Sequence, residues 1–216
     1  MRNLSPLEAR ALAVLIEKQA TVPDTYPLSL NALVAGCNQK TARQPVIEAT
    51  EAEVLTAADG LKSLSLVFEG SGSRVVKFEQ NMARAMQLPG QAVALLAVLM
   101  LRGPQTAAEL RLNCERLHRF ADISSVEGFL EELSSKTVPL VLKLARAPGE
   151  REARWAHLLC GEVAQPAARA ITGGSDDVSV SAGEIAALKA EQTRLAAELD
   201  ELKAFVQRIA GELGMK

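Results

Sequence analysis

Apolar residues recur at helical spacing in separate stretches of the chain, and most stretches open on a polar residue able to cap a helix. Ser5, Pro6 and Glu8 form a capping box with proline in the first turn, and Leu7, Ala11, Val14, Leu15 and Lys18 continue at helical spacing. A first helix is therefore predicted to begin at Ser5. After the proline-punctuated TVPDTYP, Ser29 can cap a short helix with Leu30, Leu33 and Val34 on one face, ended by residues 36–38. Thr50 and Glu53 form another capping box, and Val54, Ala57, Ala58, Leu61 and Leu64 give the third helix its apolar face. LVFEG and SRVVKFE then flank residues 71–73, which reads as a β-hairpin.

The same order recurs. LAVL at residues 12–15 reappears at residues 96–99. Helical patterns follow at residues 90–102, at 106–117 with Thr106 and Glu109 as capping box, and at 124–136 with Ser124 and Glu127 as another. VPLVLKLAR and EARWAHLL, around Pro148 and Gly149, predict a second hairpin. Three helices and a two-stranded wing, twice over, predict an α+β, mainly α fold. Its parts are two tandem winged-helix modules of the helix-turn-helix class, residues 1–88 and 89–165.

Beyond them the composition turns to Ala, Gly, Ser, Pro and Asp, which predicts a flexible linker over residues 166–182. Over residues 183–213 the pattern changes again: Ile185, Leu188, Gln192, Leu195, Leu199, Leu202, Val206, Ile209 and Leu213 alternate steps of three and four. That is the seam of a coiled coil, with Ile185, Gln192, Leu199, Val206 and Leu213 at a and Leu188, Leu195, Leu202 and Ile209 at d. Glu184 and Glu198 at g face Lys189 and Lys203 at e of a parallel partner, so a homodimer is expected. The alternative is a helix that hides the same seam against its own chain.

Charge narrows the function classes. The chain has 216 residues, with 24 Lys plus Arg against 26 Asp plus Glu and a net charge of -2, so no global positive field favours nucleic acid. Any such role must rest on a local patch. Residues 1–88 carry nine basic and nine acidic side chains, and residues 89–165 the same numbers. The third helices are acidic, through Glu51, Glu53 and Asp59 in one copy and Glu127, Glu131 and Glu132 in the other. Acidic recognition helices would repel phosphate. Asn38, Gln39, Lys40, Thr41, Arg43 and Gln44 instead gather amides and cations ahead of the third helix, with Arg74 and Lys77 on the wing. Asn38, Gln39, Lys40, Arg43, Arg74 and Lys77 are thus the candidate DNA contacts, with the Lys40 and Arg43 side chains expected to be exposed. The competing reading is a solvated loop whose amides satisfy backbone groups. Arg111, Arg116, His118 and Arg119 form a second basic run.

Catalysis is not expected. His118 and His157 fall in different elements with no HExxH or nucleophile-elbow string beside them, and Gly70, Ser71 and Gly72 lack a following GK[ST]. Cys37, Cys114 and Cys160 show no CxxC spacing, so neither a disulfide framework nor a metal is implied and no cofactor is suggested. The apolar run at residues 11–16 is too short for a signal peptide, and the longest, residues 92–101, is half of the roughly 20 residues a membrane span needs. A cytoplasmic protein without membrane contact is expected. Tyr26, the single tyrosine, lies between Pro23 and Pro27 and suits either a partner-facing anchor or a plug beneath a rigid loop.

LSPLEARALAVLIEKQATVPDTYPLSLNALVAGCNQKTARQP resembles the bacterial YceH family, with TVPDTYPLSLNAL and GCNQKT the most specific strings, and the similarity runs from Leu4 to Glu162. The resemblance implies paired winged-helix modules in a bacterial cytoplasmic protein, in a family without an established activity. Where that family usually reads Asn-Arg-Glu-Pro, this chain has Ala42, Arg43, Gln44 and Pro45. Two functions are expected on these grounds. The first is a transcriptional regulator on double-stranded DNA, dimerised by its tail; the second is a non-enzymatic scaffold gripping protein partners with the same modules.

Overall fold

A computed structural model describes residues 2–70, 75–146, 150 and 152–163. All of these belong to one compact unit, Met1–Ala167. The linker and the seam from Ile185 to Leu213 lie outside the described residues, as do Arg74, the two hairpin tips and Arg151.

The fold is mixed α+β. α1 (Pro6–Thr21), α2 (Leu30–Cys37) and α3 (Glu51–Ser63) precede an antiparallel pair, β2 (Val67–Gly70) and β3 (Lys77–Gln80); β1 (Leu28–Ser29) joins β3 on its other edge. After a single turn, α4 (Met82–Ala85), the order repeats as α5 (Gly90–Arg102), α6 (Ala107–Asn113), α7 (Ile123–Ser134), β4 (Val141–Lys143) and β5 (Trp155–His157). Capping boxes at Ser5 with Glu8, Thr50 with Glu53 and Thr106 with Glu109 start helices where the sequence placed them. In α7 the box is Asp122 with Ser125 instead of Ser124 with Glu127. The helix buries Val126, Leu130 and Leu133, and ending at Ser134 leaves Lys136 beyond it. The second strand pair is also shorter than VPLVLKLAR and EARWAHLL suggest, with three residues in each strand.

The repeat extends to a detail the sequence did not signal. Leu28, one residue before the Ser29 cap of α2, pairs with buried Phe78 of β3; Gln105, one residue before the Thr106 cap of α6, exchanges both backbone hydrogen bonds with buried Trp155 of β5. In each half the chain entering the second helix is thereby pinned to the second strand of the antiparallel pair. Tyr26 takes the plugging role, its Oη accepting the Gln80 N–H at 2.7 Å.

One core serves both halves. α1 and α5 pack against each other, and the LAVL strings are buried on both. α1 is buried from Glu8 to Ile16 and α5 from Ala92 to Leu101, without the polar face of a surface helix. α1 lies between α3 and α5, and enclosure on both sides leaves its two charged side chains there, Glu8 and Arg10, in need of hydrogen-bond partners; Glu8 meets half-exposed Arg2. Among the described residues no helix is long and apolar enough to cross a membrane.

Candidate functional site

The turn after α2 gathers Asn38, Gln39, Lys40 and Arg43, but their side chains do not form one outward surface. Asn38 lies across the turn from Ala49, donating from Nδ2 to the Ala49 carbonyl at 2.8 Å and accepting the Ala49 N–H at 2.7 Å. The side chain imitates a strand pairing and closes the loop between α2 and α3. Gln39 donates to the Thr41 carbonyl and accepts from Lys18 Nζ. These amides make their hydrogen bonds within the fold. Lys40 is exposed, and Lys77 is half-buried in β3 opposite Ser29.

Arg43 corrects the expectation of exposure. Its residue is 5% exposed and its guanidinium grips Glu17 near the end of α1, Nη2 to Oε2 at 2.6 Å and Nη1 to Oε1 at 3.2 Å. Nε donates to the Gly36 carbonyl at 3.2 Å. A guanidinium taken out of water requires a carboxylate and carbonyl acceptors, and this site supplies both. The side chain thus joins α1 to the end of α2 and is withdrawn from any phosphate.

A second buried arginine, Arg10, stands nearby at 4% exposure. It donates to the carbonyls of Cys37 at 3.2 Å and Pro45 at 2.7 Å, tying α1 to both ends of the turn. Burial first, and then repulsion from Arg43, pull its pKa below the usual arginine value. No carboxylate bridges to it among the described residues. In the sequence Arg10 directly precedes the apolar run at residues 11–16, and its place among Leu7, Ala11 and Val14 is the signal that it enters the core.

Two buried cysteines lie in the core, Cys37 and Cys114. Burial pushes the Cys37 thiol up to about 11 and that of Cys114 to about 12, so neither supplies thiolate near neutral pH. On α3, Glu53 is occupied by Thr50 of its own cap, and Lys62 bridges Asp59 at 2.8 Å and also Glu69 of β2. Glu51, Glu53 and Asp59 are exposed, as are Glu127, Glu131 and Glu132 on α7. The outward carboxylates of both third helices form no anion-binding surface. On the second basic run, Arg116 and Arg119 are exposed while Arg111 donates to the Ala121 carbonyl.

A family model described as "Protein of unknown function, DUF480" matches residues 4–150. The chain belongs to the DUF480 family. A UPF0502 protein of Burkholderia pseudomallei is 65% identical over 215 residues, covering 100% of this chain and 91% of its own length. The UPF0502 protein of Leptothrix cholodnii is 63% identical over 216 residues, covering 99% of this chain and 97% of its own length. Similarity to these bacterial proteins therefore spans the DUF480 match and also the tail beyond it.

Proposed function

We propose that this DUF480 chain is a non-enzymatic tandem winged-helix module that binds protein partners through its first hairpin. The observation carrying this reading is apolar exposure on that hairpin: Phe68 of β2 is 50% exposed and Val76, just before β3, 45%. β2 is an edge of its sheet, so its backbone is open to an added strand while Phe68 offers an anchor. Two further facts support the reading, the withdrawal of Arg43 and the acidic outward faces of α3 and α7. The winged-helix assignment rests on the repeated order of three helices and a strand pair, with a short pairing before each second helix. Dimerisation through Ile185 to Leu213 belongs to the same proposal; sedimentation of the full chain beside one ending at Gly161 tests it, with dimer and monomer expected respectively.

DNA binding is the second reading, favoured by the exposed cations Lys40, Arg116 and Arg119. Two measurements separate the readings. A photo-crosslinker placed at Phe68 in cells should give discrete protein adducts, and one at exposed Thr56 should not. Titration of the full chain with mixed duplex at low salt should show no binding, whereas affinity that falls steeply with added salt would favour DNA.

A further inference from the structure

A cleft of about 460 Å³ opens beside Arg10. Its walls come from both halves: Leu7 of α1, Pro45 and Ile47 of the loop before α3, Met100 of α5 and His157 of β5. The volume falls within the range of small-molecule sites, and the lining is mostly apolar with a few polar groups. We infer that this cleft binds a small organic anion, an apolar body carrying one carboxylate.

Charge points to the anion. Arg10 lines the cleft, and the charge of nearby buried Arg43 is already met by Glu17. Arg10 holds only carbonyl oxygens, and these disperse its charge without cancelling it. In apolar surroundings that charge reaches the cleft with little screening, so a bound carboxylate supplies the missing counter-ion. Unused hydrogen-bonding capacity points to the same place. Among the described residues, buried side-chain nitrogens without a partner are Arg10 Nε, Arg111 Nε and His157 Nδ1, and Arg10 and His157 both line this cleft. Two carboxylates also stand at the cleft, Glu48 and Glu53. Glu48 is exposed, Glu53 is engaged by the Thr50 N–H and hydroxyl, and neither forms an ion pair with Arg10.

Calorimetric titration of the full chain with decanoate, decanol and decylamine tests the assignment. Decanoate should bind about tenfold or more tightly than decanol, and decylamine should not bind. Ile47→Trp, which fills the cleft from a half-buried position, should abolish decanoate binding with little change in the melting curve. Arg10→Gln should remove the preference for decanoate over decanol; should that variant fail to fold, Ile47→Trp decides alone. Equal affinity for decanoate and decanol, absence of binding by decanoate, or full decanoate binding by Ile47→Trp overturns the proposal.

Discussion

Arg43 and Glu17 are joined by two hydrogen bonds of 2.6 and 3.2 Å, with the arginine side chain wholly removed from solvent. Removing the arginine leaves Glu17 partly exposed beside Lys18 Nζ at 3.7 Å but leaves the Gly36 carbonyl without its donor, at about 1–3 kcal/mol. Arg43→Met should therefore lower the urea midpoint markedly. Glu17→Gln combined with Arg43→Met should recover part of the loss. Lys40→Glu, at an exposed position three residues away, should leave the midpoint nearly unchanged. Equal losses for Arg43→Met and Lys40→Glu would contradict the buried pair.

Gly60 lies in α3 over the Arg2 to Glu8 ion pair, where an added Cβ would sit 2.0 Å from Glu8 Oε1. Helix propensity alone favours alanine by about 1 kcal/mol, but the Glu8 carboxylate is held by Arg2 and by the Ser5 N–H, so moving it aside costs about 1–3 kcal/mol. Gly60→Ala should lower the melting temperature, and adding Glu8→Ala should shrink that penalty. A rise in melting temperature for Gly60→Ala alone would show that the carboxylate moves aside freely.

Burial lowers His157 from 6.5 to about 4. The unfolded chain therefore takes up this proton first as pH falls, so the group's contribution is intact above about 6.5 and is lost progressively toward 4. At about 1.4 kcal/mol per pH unit the loss approaches roughly 3 kcal/mol. Denaturation at about pH 7 and pH 4.5 should show a smaller difference for His157→Gln than for the native chain. Parallel curves for the two proteins would place the imidazole in water.

Tyr26→Phe keeps the ring and removes the acceptor for the Gln80 N–H. The expected loss is about 1 kcal/mol. Hydrogen exchange at the Gln80 amide should quicken more than at Phe78 in the same strand; unchanged exchange would mean that the hydroxyl does not protect it.

Local chemistry made the helix starts legible. A capping box lies within four residues, so Ser5, Thr50 and Thr106 could be read directly. At α7 the rule points to Ser124 with Glu127, because the observed pair, Asp122 with Ser125, has serine where the motif calls for Glu or Gln. β1 is not legible in the sequence, because two residues carry no periodicity and its partner Phe78 is remote in the chain.

The amino-acid sequence by itself determined the mixed α+β order, the internal repeat and the acidic character of the third helices, because spacing, caps and charge are local properties of the chain. Only the tertiary structure decided what the polar turn does. Arg43 and Asn38 look like surface contacts in TARQP and GCNQKT, yet Glu17 and Ala49 claim them. Glu17 is 26 residues from Arg43 in sequence, and no local pattern encodes that pairing. Packing α1 between α3 and α5 buried the charges, and once buried they had to find partners. The same packing set Arg10 and His157 beside one cleft, a juxtaposition that exists only after the two halves share a core.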